Sequence, residues 1–248
     1  MRFSLVFIML LFLSACGNKE PETKAINIGA DADKQAFYQA QTLLIKEDFA
    51  EAAKAYDHVD REYPYSTLAP RAMMMAAFSA YLANEYDDAV IMSERFIQLH
   101  PGNQYAPYLY YLKALCLYVQ ISDVTRDQQM TEDARTALTE VVLRYPNTAY
   151  ANDAKVKLRL VYDHLAAKEM EIGRYYLYKN QYDSALSRFV TVVQKYQTTS
   201  HVHEALFRMI EVYTVLGLKD EAFKTAALLG HNAQNSDWYK KAYKLVQK

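Results

Sequence analysis

From about residue 34 onward, apolar residues recur at spacings of three and four with polar residues between them. Ala89, Ile91–Met92, Phe96 and Leu99 form one such stripe, the pattern of a helix that buries a single face. Comparable stripes run through Phe37–Ile45, Met73–Leu82, Leu109–Ile121 and Met170–Tyr178. Each is followed by a second amphipathic stretch that opens on an acidic–alanine signal. Glu51-Ala52 leads to Tyr63-Pro64, Asp88-Ala89 to His100-Pro101, Asp133-Ala134 to Tyr145-Pro146, and Asp183-Ser184-Ala185 to Tyr196-Gln197. The distance from the alanine to the closing position is twelve residues every time.

Each unit has a physical reading. The acidic residue suits a helix N-terminus, where it accepts from unpaired amides and meets the positive end of the dipole. The small alanine lets the preceding helix approach, and proline stops the second helix because it cannot donate and clashes with the turn before it. A degenerate fifth unit follows at Asp220-Glu221-Ala222. Helix, short turn, helix, stop, repeated about five times, predicts an all-α, tetratricopeptide (TPR)-type solenoid. A generic TPR is about 34 residues long, whereas the closing positions here lie 37, 45 and 51 residues apart. Two features account for the excess: a polar insertion at Ser122–Thr131, and an extra helix over Asn152–Ala166 before the fourth unit. Gln197 stands where proline is expected, and the fifth unit has no closing proline.

The amino terminus follows different rules. After Arg2 comes the apolar run Phe3–Leu13, too short to span a bilayer but of the length of a secretory h-region. It ends in Leu13-Ser14-Ala15-Cys16, which resembles the lipobox of bacterial lipoproteins. That resemblance implies cleavage before Cys16 and its conversion to N-palmitoyl, S-diacylglycerol cysteine. An ordinary small-residue cleavage site that happens to precede a cysteine is the alternative. Each buried acyl methylene contributes about 0.8 kcal/mol, and two or more chains give stable anchoring. The expected organisation is a signal peptide at 1–15, a lipid-anchored flexible linker at 16–33, N-terminal repeats 1–3 at 34–150 and C-terminal repeats 4–5 at 151–248.

Composition narrows the function. Without the signal the chain has a net charge of −2 and no basic block, so it offers no electrostatic footprint for nucleic acid. Lipidation of Cys16 leaves Cys116 as a lone thiol within an apolar run, where it behaves as a small hydrophobe. No phosphate-cradling loop, dinucleotide fingerprint, zinc-binding helix motif or Cys-x-x-Cys pair occurs. No cofactor, metal or catalytic residue is therefore assigned. His201-Val202-His203-Glu204 is the one histidine cluster. Positions i and i+2 face different ways on a helix, so a helix start capped by Ser200 is the simpler reading. An enzyme, a hydrolase with an unrecognised site, is the least favoured class.

The notable excess is tyrosine, 22 in all. About two thirds are expected to pack between helices, and the remainder to line the concave face on which solenoids bind their partners. Tyrosine suits such a surface because it offers a large apolar area, a polar tip and little rotamer entropy to lose.

A narrower statement rests on specific segments. Glu94-Arg95-Phe96-Ile97-Gln98-Leu99-His100-Pro101 followed by Tyr108-Leu109-Tyr110-Tyr111-Leu112-Lys113-Ala114-Leu115 resembles the BamD family, TPR lipoproteins of the outer-membrane β-barrel assembly machine. So do Thr125-Arg126-Asp127-Gln128, Tyr145-Pro146-Asn147-Thr148-Ala149-Tyr150, Asp163-His164-Leu165-Ala166 and Tyr175-Tyr176. Arg95-Phe96 and Arg126-Asp127 belong to the most specific of these motifs. The resemblance implies a periplasmic scaffold lipoprotein on the outer membrane. Its C-terminal repeats would hold the POTRA domains of a BamA-like insertase, and its N-terminal repeats would receive unfolded barrel precursors. Other lipoproteins of that machine are further implied partners. By position, Arg188 corresponds to the family's arginine that pairs with an acidic residue of the insertase, and Tyr176 lies in the same contact region. Gly17 after the lipid cysteine implies outer-membrane sorting. Another TPR lipoprotein, a pilotin or a coordinator of division and peptidoglycan synthesis, is the alternative reading.

Overall fold

The computed structural model describes residues 28–247; the expected signal peptide, Cys16 and Gly17 lie outside the described residues. Eleven helices make up the described chain: α1 (Ile28–Ile45), α2 (Phe49–Glu62), α3 (Ala69–Leu82), α4 (Tyr86–Leu99), α5 (Ala106–Val119), α6 (Gln129–Arg144), α7 (Ala149–Tyr178), α8 (Tyr182–Lys195), α9 (Val202–Val215), α10 (Lys219–Ala233) and α11 (Asp237–Val246). Each packs on the next, forming five antiparallel pairs with α11 left over. This is the TPR-type solenoid expected from the repeat. In addition α3 touches α5, and α5 touches α7, which puts these odd-numbered helices on the inside of the array.

The turns repeat as faithfully as the helices. Within four of the five pairs the chain reverses through one residue in the left-handed region: Glu47 (φ 62°), Asn84 (φ 61°), Asn180 (φ 58°) and Gly217 (φ 75°). Each turn is closed by the same pair of backbone bonds, as when Asn84 and Glu85 amides donate to Tyr81 and Ala80 carbonyls at 3.1 and 3.0 Å. This is the Schellman arrangement that satisfies the last carbonyls of a helix. The fifth pair has it at Gly217, so the degenerate unit is a full repeat. Only α5 and α6 are joined differently, through the insertion, and α6 already begins at Gln129 rather than after Thr131.

Between pairs, the second helices end on Tyr63, His100, Tyr145 and Tyr196, with φ between −133° and −123° and ψ between 41° and 56°. Gln197 in place of proline leaves this geometry unchanged. The amide three residues on donates back to each of these carbonyls, so the turn holds its shape without the proline ring.

Two expectations are corrected. The stretch expected as an extra helix is not separate: α7 runs unbroken through it and through the first helix of the fourth unit. No proline or left-handed residue lies between Ala166 and Met170 to stop it, and the supernumerary helix is α11 at the other end. The second correction concerns the acidic residues that open the second helices: they cap no backbone amide. Glu51, for example, pairs with Lys54. Their contribution is through the helix dipole, and among the described residues side-chain caps occur only at Thr148 and Ser236.

Ala52, Ala89, Ala134 and Ala185, the alanines that mark the repeats, are all fully buried. Around them Tyr56, Phe96, Leu138 and Phe189 fill the spaces between helices. Burying each such side chain is worth about 1.5–3 kcal/mol. The core clusters run along the array from Phe37 to Ala242. Tyr196 packs against both the cluster around Leu158 and the one around Met170, so the two halves share one aromatic ring.

Candidate functional site

Helices α5 and α7 lie side by side and parallel, in a constant register. Tyr108 meets Tyr150 with ring centroids 5.8 Å apart, and the Tyr111 hydroxyl donates to Asp153 Oδ2 at 2.6 Å, both at a sequence offset of 42. Tyr111 also stacks on Tyr150 at 5.4 Å and 27°. From α3, Phe78 extends the row, 6.5 Å from Tyr108. Further along, Lys157 Nζ donates to Asp153 at 2.6 Å and lies 5.6 Å from the Tyr118 ring and 6.0 Å from Tyr111. Beyond Lys157 lies a cavity of about 410 Å³ lined by Tyr118, Val119, Ile121, Leu160, Val161 and His164. The result is an aromatic lane crossing three repeats.

The electrostatics follow from partial burial. Burial raises the Tyr108 and Tyr111 hydroxyls well above the usual phenol range, and for Tyr111 the bond to Asp153 adds to it. Asp153 is held below the usual carboxylate range, first by Lys157 and then by Tyr111. The lane therefore presents neutral tyrosines and one positively charged lysine whose partner carboxylate stays ionised.

The second surface is on the fourth repeat. Arg188 projects from α8 with its side chain 41% exposed, and its Nη1 lies 3.1 Å from Glu169 Oε2 on α7. Glu169 thus fixes a guanidinium that remains partly exposed. Tyr176 is half-buried against the C-terminal core. It meets Tyr175 edge to face at 5.8 Å, beside the exposed Tyr175 and Tyr178. Glu169 and Tyr176 are seven residues apart on one face of α7, about 10 Å along its axis. Arg188 and Tyr176 therefore flank the same stretch of α7, and neither belongs to the aromatic lane.

The motif residues divide into structural and exposed ones. Arg95 Nη2 bridges Asp57 Oδ1 at 2.8 Å and Asp60 Oδ2 at 2.7 Å, tying α4 to α2, while Phe96 is fully buried. Both hold the fold. Arg126 and Asp127 are exposed in the α5–α6 loop. The loop's shape comes from their neighbours. Asp123 accepts from the Thr125 amide and hydroxyl, Gln128 Nε2 reaches three carbonyls, and Lys168 of α7 donates to the Thr125 carbonyl at 3.0 Å.

The histidine cluster is not capped as expected. The Ser200 amide and hydroxyl both donate to Asp163 Oδ1, at 3.2 and 2.9 Å, and His201 Nε2 lies 3.5 Å from Asp163 Oδ2. Ser200 therefore ties the start of α9 to α7 instead of capping it. Among the described residues no three metal-capable side chains come together, and no helix is long and apolar enough to cross a membrane. Of the tyrosines only Tyr38, Tyr65, Tyr175, Tyr178 and Tyr243 are exposed, so packing claims somewhat more than two thirds of them. The lane's signal was present in the sequence, as the offset of 42 shared by Tyr108/Tyr150 and Tyr111/Asp153, but only the pairing of α5 with α7 gives that spacing meaning.

Five helix pairs, four of them closed by the same turn, and an aromatic inner wall define a TPR-type helical-repeat protein, a class whose concave surfaces hold other chains. Residues 29–228 match the model of the YfiO family, described as an outer membrane lipoprotein. Over 203 residues the chain is 46% identical to the outer membrane protein assembly factor BamD of Caulobacter vibrioides, covering 82% of this chain and 67% of that protein. It is 40% identical to the BamD of Rickettsia prowazekii, covering 98% of this chain and 96% of the relative. The chain belongs to the BamD family. A thermophilic TPR protein of Thermus thermophilus, 16% identical, aligns over 87% of this chain and 100% of its own length with a TM-score of 0.38.

Proposed function

We propose that this chain is a membrane-tethered, non-catalytic scaffold of outer-membrane β-barrel assembly. The observation that carries the reading is family membership over essentially the whole described chain, with relatives of that printed function. In this reading Cys16 carries the lipid and anchors the protein to the periplasmic face of the outer membrane. The repeats within 34–150 receive unfolded barrel precursors. Those within 151–248 hold the POTRA domains of a BamA-like insertase, with Arg188 and Tyr176 at the contact. Further lipoproteins of the assembly are additional partners. The half-exposed guanidinium of Arg188, fixed by Glu169, suits pairing with an acidic group, because a positioned arginine loses little freedom on binding.

The test is affinity purification of the lipidated protein from detergent-solubilised membranes. A POTRA-bearing barrel should copurify and should be lost with Arg188→Glu, while depletion of the protein should lower barrel proteins in general. Recovery of secretin or division proteins instead would overturn the reading. Mass spectrometry of the mature amino terminus tests the anchor: an unmodified Cys16 would refute it.

A further inference from the structure

In an array of antiparallel pairs the turns fall along two edges. The four turns between pairs, at 63–68, 100–105, 145–148 and 196–201, lie along the edge where α1 begins, and the five turns within pairs lie along the other. The two edges differ in charge. Taken with the first four residues of each following helix, the within-pair turns carry twelve acidic and four basic residues. Taken in the same way, the between-pair turns carry only Arg71 and Glu204, and the opening residues of α1 add Asp31. The cause is local, because the second helices open on acidic residues that suit the dipole, whereas the first helices follow turns rich in proline, asparagine, serine, threonine and tyrosine. The consequence is molecular: one edge is acidic and the other close to neutral.

The chain enters on the near-neutral edge. Asp33 of α1 accepts from the Ser66 hydroxyl in the α2–α3 turn, so the start of α1 sits beside Pro64 and Tyr65. Tyr65 is 100% exposed, and Pro64 is exposed next to it. A ring with a polar tip suits the boundary between headgroups and acyl chains, where tyrosine gathers in membrane proteins. Twelve residues separate Cys16 from Ile28, a reach of about 40 Å at full extension. To bring the other edge to the bilayer they would have to double back along α1, about 27 Å long. They would then press acidic turns onto the phospholipid, and an anionic surface repels such charges within about 8 Å.

We propose that the near-neutral edge lies against the phospholipid surface, with Tyr65 at the level of the headgroups and the acidic edge turned away. The inference rests on the reading that Cys16 carries the lipid, and it adds an orientation that a tether alone does not impose. Because the helices run from edge to edge, their axes then stand across the plane of the bilayer. The inner face, with its aromatic lane, opens along the membrane rather than into it.

The experiment uses the full-length lipidated protein in vesicles of phosphatidylethanolamine and phosphatidylglycerol brominated on the acyl chains near the headgroup. Trp238, the one native tryptophan, is removed by Trp238→Phe. A single reporter is then introduced by Tyr65→Trp or, at the other edge, by Tyr178→Trp, which replaces a side chain 81% exposed at the end of α7. The brominated lipid should quench the reporter at 65 several-fold more strongly than the one at 178. Thr67→Glu, which adds a charge beside the first reporter, should lower its quenching toward that at 178. Equal or reversed quenching, in protein that still floats with the vesicles, overturns the orientation alone. Protein that does not float with the vesicles overturns the lipid anchor and the orientation with it.

Discussion

Glu47, Asn84, Asn180 and Gly217 occupy the same left-handed turn position, yet only one is glycine. A side chain there costs about 1 kcal/mol or more, because Cβ crowds the carbonyl. Glu47→Gly should therefore stabilise the protein by up to about 1 kcal/mol, and Gly217→Ala should destabilise it by about as much. Urea denaturation checks both, and a neutral Gly217→Ala would contradict the strain argument. Cys116 offers a second check at this scale. Burial pushes its thiol up to about 12, and the thiolate is the reactive form. At pH 8 iodoacetamide should leave the Cys116 peptide unlabelled in the folded protein and label it rapidly in urea; labelling at equal rates would show the thiol to be exposed.

Contacts between elements set the next scale. Gly173 lies on α7 where an added Cβ would stand 2.5 Å from the Phe189 ring of α8. Glycine within a helix costs about 1 kcal/mol, so its presence reflects the close approach of the two helices. Gly173→Ala should lower stability by about 1–3 kcal/mol through overpacking, and Phe189→Leu should recover part of that loss in thermal melts. The bridge from α4 to α2 makes a pH prediction. Burial raises the Asp60 carboxyl, and Arg95 opposes that shift. Arg95→Ala removes the opposing charge, so the folded-state value of Asp60 rises further above its unfolded value. A raised carboxyl binds more protons in the folded state, so stability falls as pH rises through it. The deficit of the variant should be smallest in acid and grow toward neutral pH to about 2 kcal/mol. A deficit that shrinks with rising pH would contradict the assignment.

Over the whole molecule, α7 is the element on which both halves are built. Its first part packs on α5 and α6 and its second on α8, while Tyr196 joins the flanking core clusters. The same helix carries the end of the lane on one stretch and Glu169, the partner of Arg188, on the next. Unfolding of the unaltered protein should therefore be a single transition. Ala167→Pro removes a helical bond in the middle of α7 and should cost about 3 kcal/mol. It should also split the calorimetric transition in two, as expected when repeats are no longer coupled. One undivided transition would show that the halves are held together without α7.

The twelve-residue cadence determined the number of helix pairs, because proline, buried alanine and amphipathic period act within a few residues of themselves. Even the degenerate fifth pair followed from Asp220-Glu221-Ala222, and Gly217 completes its turn. The run of apolar residues before Cys16 carries the anchor expectation in the same local way. What the sequence could not determine depends on contacts between distant residues. The continuity of α7 was hidden because repeat length suggested a break that no residue enforces. Arg95 and Phe96 stood out only as motif positions, and a motif does not say which side faces the core; the structure turns Phe96 inward and commits Arg95 to two aspartates. Tyr108, Tyr111, Tyr150 and Lys157 became one lane only when α5 and α7 were laid side by side, because the register of two helices is set by packing between them and not by either helix alone.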